Sequence, residues 1–170
     1  WAFEILHETG HRYDSSVYPV RGARYGDPSA DRRIHTVRLG DGRSLVEVPP
    51  SCLPFGRRNL PVAGGGYLRF FPAAFTRWAI RRLNEREGMP AVVYVHPWEI
   101  DPDQPRLPAR RIDTFRHYLN LHRTEARLAG LARCFRFAPV SELLEAREAV
   151  LSPSHVAAAR SVPRTARGAA

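Results

Sequence analysis

An imidazole at the end of a short apolar run is the first group in this chain that could do chemistry. Val92-Val93-Tyr94-Val95 leads into His96, and Pro97-Trp98-Glu99 follows. Three β-branched residues and a tyrosine predict a short, fully buried strand. Pro97 ends it, having no amide proton to give a ladder. A histidine ring titrates near neutral pH, so at a strand mouth it can protonate a leaving group or deprotonate a nucleophile. It can equally be a structural group closing the strand end. Trp98 offers a flat face on which a sugar could stack, or a large surface to pack against the loop. Glu99, Asp101 and Asp103 could bind a hydroxyl or a cation, while Asp101-Pro102 and Asp103 also suit a turn.

Other candidate groups carry weaker patterns. His7-Glu8-Thr9-Gly10-His11 satisfies the His-Glu-x-x-His spacing of zinc peptidases. That chemistry needs one continuous helix so that both rings reach one metal. Gly10 stands where the helical pattern gives out, and no third ligand follows at a recognisable offset. His117 and His122 are five residues apart and point to different faces of a helix, which suits structural or surface groups better than ligands. Gly64-Gly65-Gly66 could bring backbone close to an anion or a glycan, though a turn is the default use of glycine. Asp14, in Tyr13-Asp14-Ser15-Ser16, is good material for an Asx turn. Cys52 and Cys134 match no metal or disulfide spacing, and Cys134 reads as a small core residue.

These groups need elements to place them. Residues 1–9 predict a helix stopped by Gly10, and 11–17 a short strand. Residues 34–39 and 44–48 alternate about Gly40-Asp41-Gly42, a hairpin signal. Residues 49–61 read as loop. A helix runs from Pro72 to about Glu87, then comes the strand over 91–96 and a Pro-rich acidic loop over 97–108. A long helix over 112–132, a strand over 134–138 and a helix from Ser141 to Val150 complete the pattern. Residues 151–170 predict a disordered basic tail. Strand and helix alternate from residue 90 onward, which makes the class α/β with a parallel sheet, the 34–48 hairpin being an insertion.

Composition narrows the field. The chain has 170 residues and a net charge of +9, and every one of its 26 basic residues is arginine. The arginines are spread along the chain, which fits ordinary surface roles better than a nucleic-acid face. No apolar run approaches the roughly 20 residues a membrane helix needs. The chain opens inside a helix without a methionine, so it reads as a piece of something longer whose targeting segment would lie upstream; a cytoplasmic setting is the expectation.

The motifs together resemble the polysaccharide deacetylases with a NodB-homology domain, in particular the bacterial subgroup linked to exopolysaccharide loci with its own C-terminal extension. The resemblance rests on Trp1-Ala2 through Gly10, Tyr13-Asp14-Ser15-Ser16-Val17-Tyr18-Pro19, Tyr25-Gly26, and Gly64-Gly65-Gly66-Tyr67-Leu68-Arg69. It continues through His96-Pro97-Trp98-Glu99-Ile100-Asp101-Pro102, Gln104-Pro105-Arg106 and Phe115-Arg116-His117-Tyr118-Leu119-Asn120-Leu121. It implies the C-terminal part of a distorted (β/α) barrel over residues 1–150. It also implies metal-dependent removal of N-acetyl groups from a bacterial exopolysaccharide.

By that resemblance His96 is the acid that protonates the departing amine. Asp14 matches an acidic motif and would orient the ring, and Trp98, Tyr67 and Arg69 would bind substrate. The divalent metal, zinc first, would be held by an aspartate and two histidines in an earlier part of the parent. This chain holds no metal ligands of its own and is expected to be inactive alone. An N-acetylated polysaccharide is the implied partner, with no membrane span and no nucleic acid. The competing readings are a non-catalytic, Arg-rich glycan- or nucleic-acid-binding module and, remotely, the zinc peptidase.

Overall fold

The structure, a computed structural model, describes residues 1–22, 25–40 and 42–151. It divides into two units, Trp1–Leu131 and Ala132–Ala170. Helix α1, Ala2–Glu8, ends where the Thr9 hydroxyl turns back onto the carbonyls of Ile5 and Leu6, at 2.9 and 3.0 Å. The chain then enters β1, Tyr13–Asp14. The expected hairpin forms as β2, His35–Arg38, against β3, Ser44–Glu47. It is not an insertion. β3 is the central strand of a sheet ordered β1-β3-β2, and it receives β1 in parallel register, Asp14 opposite Glu47. On its other side His35 stands opposite Glu47 in the antiparallel pair. Leu45 and Glu47 are buried, so one face of β3 looks into the protein.

Residues 49–61, expected to be loop, contain a second hairpin: β4, Cys52–Phe55, and β5, Arg58–Pro61. Pro54 and Pro61 hid it, because proline argues against a central strand. A two-stranded ribbon is all edge and tolerates both. Its two-residue turn has Gly56 first at φ +60°, the conformation a mirror-image hairpin turn requires of that position.

Helices α2, Gly65–Phe70, and α3, Ala73–Arg81, follow, and α3 runs on into a π-helical turn over Arg82–Arg86. Leu68, Ala79, Ile80 and Leu83 are buried along this stretch, with Val62 and Ala63 ahead of it. The expected long helix over 112–132 is two helices. α4, Arg111–Tyr118, stops, Asn120 takes the left-handed conformation at φ +54°, and a short 3-10 turn leads into α5, Thr124–Cys134.

Residues 91–96 are extended but build no ladder. Their one β contact is a parallel bridge between Tyr94 and Gly64. Residues 91–95 are half-buried rather than fully buried. No strand forms over 134–138, and Cys134 is exposed rather than a core residue. Cys52 is the buried one, its thiol pushed up to about 11 by burial.

The architecture is therefore mixed α/β, helices with small sheets, and the described residues form no closed barrel. Helix α6, Val140–Leu151, lies in the second unit as expected from the sequence. The tail expected over 151–170 falls, from residue 152 on, outside the described residues. No helix among the described residues is long and apolar enough to cross a membrane.

Candidate functional site

The segment carrying His96 is held by single bonds from three directions. The Val92 amide donates to the Ser51 hydroxyl at 2.7 Å. The Tyr94 amide donates to the Ala63 carbonyl at 3.3 Å, and the Gly65 amide returns a bond to the Tyr94 carbonyl at 3.0 Å. Gly64 is what permits this approach. A Cβ there would lie 2.1 Å from the Tyr94 ring, so the pair of segments closes only on a residue without a side chain. The glycine run thus makes room for an aromatic ring, a use its sequence does not distinguish from a turn.

Beyond Tyr94 the rings form a continuous run. The Tyr94 ring meets His96 edge-on at 5.7 Å between centroids, and His96 lies parallel to Trp98 at 5.8 Å. Trp98 stacks on His117 at 4.2 Å, and His117 meets Tyr118 edge-on at 4.6 Å. Arg106 completes the run, its guanidinium carbon 4.8 Å from the Tyr118 centroid. His96 is the exposed ring of this run, and Trp98 beside it is half-buried. Gln104 fixes the far side. Its amide nitrogen donates to the carbonyls of Trp98 and Asp101, at 2.7 and 2.9 Å, and its oxygen accepts from His117 Nε2 at 2.9 Å. With that assignment the His117 proton sits on Nε2.

Below the rings lies a buried ionic clasp. Pro97–Ile100 makes a 3-10 turn, and Glu99, wholly buried, accepts the His96 amide on Oε2 at 2.9 Å. Its Oε1 accepts from Arg69 Nε at 2.8 Å. A second nitrogen of Arg69 donates to the carbonyls of Arg116, His117 and Leu119, at 3.3, 2.7 and 2.9 Å. These carbonyls end α4 and have no helical partner, so the guanidinium closes the helix and explains the break before Asn120. Arg69 also lies 5.1 Å from the Trp98 centroid. Glu99 therefore sets the backbone of His96, and Arg69 is buried, its donors spent on Glu99 and the end of α4. Asp101 takes the turn role, its carboxylate accepting the Asp103 amide at 3.1 Å.

Tyr67 sits half-buried beside this site. Its hydroxyl meets that of exposed Tyr25 at 3.1 Å. Burial, then the bond to Tyr25, pushes the Tyr67 phenol up, so it remains a neutral hydrogen-bonding group.

Asp14 belongs to a different cluster. Its carboxylate accepts from the Ser16 hydroxyl and, at 3.1 Å, from the Ser16 amide. Partial burial opposes its ionisation, but these bonds outweigh burial and hold the carboxyl below its usual range. The Asx turn is thus what forms, and among the described residues no hydrogen bond joins Asp14 to His96. Glu47 stands beside it in the ladder. Burial pushes the Glu47 carboxyl up to about 7, the Val17 amide at 3.0 Å opposing and Asp14 adding. Sequence inspection missed Glu47, since a glutamate alternating in a hairpin reads as solvent-facing.

The zinc-peptidase spacing dissolves in the same way. α1 ends before His11, whose Nδ1 instead meets the Thr9 hydroxyl at 3.0 Å. Among the described residues no group of three or more His, Cys, Asp or Glu side chains is placed to hold a metal ion. The donors among the described residues do not fit one.

A mixed α/β domain with an exposed histidine in an aromatic run is the class these observations define. Residues 15–145 match the family described as Domain of unknown function (DUF3473), and the chain belongs to that family. No curated protein matches the chain, and no solved structure does.

Proposed function

We propose that the chain is the C-terminal part of a polysaccharide deacetylase, with His96 the proton donor in hydrolysis of an N-acetyl group. The observation that carries this reading is the placement of His96. Its ring is exposed, and its backbone is pinned by buried Glu99. The resemblance of the segment from His96 to Pro102 to those enzymes supports it. In the reaction, water adds to the acetyl carbon and the C–N bond breaks. The proton leaves His96 for the sugar nitrogen, so that an amine departs rather than an amide anion. The groups that activate the water, including a divalent metal, come in this reading from a part of the parent other than this chain. Trp98, parallel to the ring, gives a sugar an apolar surface, and Tyr67 offers a hydroxyl. Asp14 takes no part in this reading: its Oδ2 is held by Ser16, and no hydrogen bond among the described residues joins it to His96.

The test is acetate release from an N-acetylated oligosaccharide by the protein as its gene encodes it, with this chain in place. His96→Ala should lower kcat by about 100-fold or more and leave the unfolding midpoint in place. Unchanged turnover would remove His96 from the mechanism.

A further inference from the structure

A cleft of about 440 Å³ lies between α2–α3 and α5, away from the ring run. That size is within the range of small-molecule sites, roughly 300–1,000 Å³. It exists because small residues face each other. Ala73 on one side meets Ala126 and Gly130 on the other, while Leu68, Pro72 and Leu131 give it an apolar floor. Its charged groups are Arg77, Arg123 and Arg127, and no acidic side chain lines it.

Three like charges around an apolar hollow call for an explanation. Arg123 and Arg127 are four apart, so they share a helical face and repel. Among the described residues none of the three forms an ion pair. Arg127 spends one nitrogen on the carbonyls of Leu68, Arg69 and Phe71, at 2.5, 2.8 and 2.9 Å, which anchors it on the rim and leaves its other donors free. Arg77 is half-buried and has no hydrogen bond among the described residues. The wall also contains Thr76, fully buried, its hydroxyl without a partner. Arg123 is exposed, and its Nε donates to His122 Nε2 at 3.2 Å. Guanidinium groups without a counter-charge favour an oxyanion, which they can grip with paired N–H donors.

We propose that this cleft binds a sugar-sized anion, a phosphate or carboxylate carried on a partly apolar body. The arginines take the oxyanion, and the floor of Leu68, Pro72 and Leu131 takes the body. This stands apart from the deacetylase reading, and its failure would leave His96 untouched.

Calorimetric titration of the whole chain with glucose 6-phosphate, glucuronate, inorganic phosphate and glucose decides it. Saturable binding of one or both sugar anions is expected, none of glucose, and weaker binding of inorganic phosphate. Whichever sugar anion binds more tightly assigns the oxyanion as phosphate or carboxylate. Arg77→Ala and Arg123→Ala should each weaken binding about tenfold or more. Arg57→Ala, in the exposed turn of the β4–β5 hairpin, should change nothing. Ala126→Leu keeps every arginine and fills the space, so it should also abolish binding, with an unchanged circular dichroism spectrum showing the fold intact. Absence of binding by both sugar anions would overturn the proposal, as would equal loss in Arg57→Ala or binding of glucose as tight as that of its phosphate.

Discussion

Glu99 and Glu47 are both wholly buried, and the protein treats them in opposite ways. Glu99 meets Arg69 at 2.8 Å and also accepts the His96 amide, so its charge is matched and both its oxygens are used. Among the described residues Glu47 forms no ion pair. One oxygen accepts the Val17 amide, the other has no donor, and its neighbour in the ladder is another carboxyl. A buried carboxyl without a counter-charge keeps its proton instead. The first arrangement builds a rigid seat under the ring run. The second leaves an acid that titrates near neutrality beside the parallel strand pair.

Arg69→Ala breaks the first arrangement and has the largest expected effect. It strands the Glu99 charge and frees the carbonyls that end α4, costing about 3–5 kcal/mol. Urea denaturation measures this directly. Arg69→Met combined with Glu99→Leu should recover most of that loss, because no charge is then left alone. A cost in Arg69→Ala no larger than that of a surface substitution would mean that the clasp does not hold the site.

Glu47→Gln tests the second arrangement and has a distinct sign. The unfolded carboxyl ionises near 4.5, whereas the folded one holds its proton to about 7. Folding therefore takes up a proton between these values. The stability this group supplies is full below about 4.5, falls as pH rises to about 7 and is level beyond. The neutral amide removes that slope, so the variant should gain on the parent at pH 8 by roughly 3 kcal/mol relative to pH 4. Asp14 beside it and His35 across β2 are the titratable neighbours in the ladder. Parallel stability curves for parent and variant from pH 4 to pH 8 would show that Glu47 ionises freely.

The contrast also shows what a sequence can carry. Local signals survived: the hairpin about Gly40–Gly42, the stop after α1, the helix from residue 73 and the helix from residue 140 all lie where periodicity and turn residues put them. What failed depended on distant partners. Nothing in the apolar pattern of 112–132 announces a break, because the break is completed by Arg69 some fifty residues earlier. The apolar run 91–96 has the composition of a buried strand, yet only Ala63, Gly64 and Gly65 pair with it, so it stays a single bridge. His96 and Trp98 stand out as candidates by type and spacing, and Tyr67 only through the resemblance. That Arg69 points inward, that Asp14 closes on Ser16, and that His117 joins the ring run are facts of packing.

Gly64→Ala probes the seat from its other side. The added methyl would fall within 2.1 Å of the Tyr94 ring, which is itself bonded through its backbone on both sides of that glycine. Overpacking of this kind costs about 1–3 kcal/mol. Displacing Tyr94 also displaces the edge-on contact to His96, so acetate release should fall along with the unfolding midpoint. Gly66→Ala, whose Cβ would come no nearer than 3.9 Å to Arg69, should leave both alone. Equal effects from the two substitutions would mean that the run serves as a flexible turn.

Ser16→Ala has the smallest expected effect and separates the two carboxyls of the second arrangement. It deletes the hydroxyl donor to Asp14 and leaves the amide donor in place. The loss should be about 0.5–1.5 kcal/mol at neutral pH. Because the folded Asp14 carboxyl lies below its ordinary value, its contribution is present above the unfolded pKa and disappears as pH falls through the folded one. The difference between parent and variant should therefore shrink in acid, while the Glu47 slope between about 4.5 and 7 persists in both. If Ser16→Ala instead moved that upper slope, the two carboxyls would be titrating as one shared-proton pair.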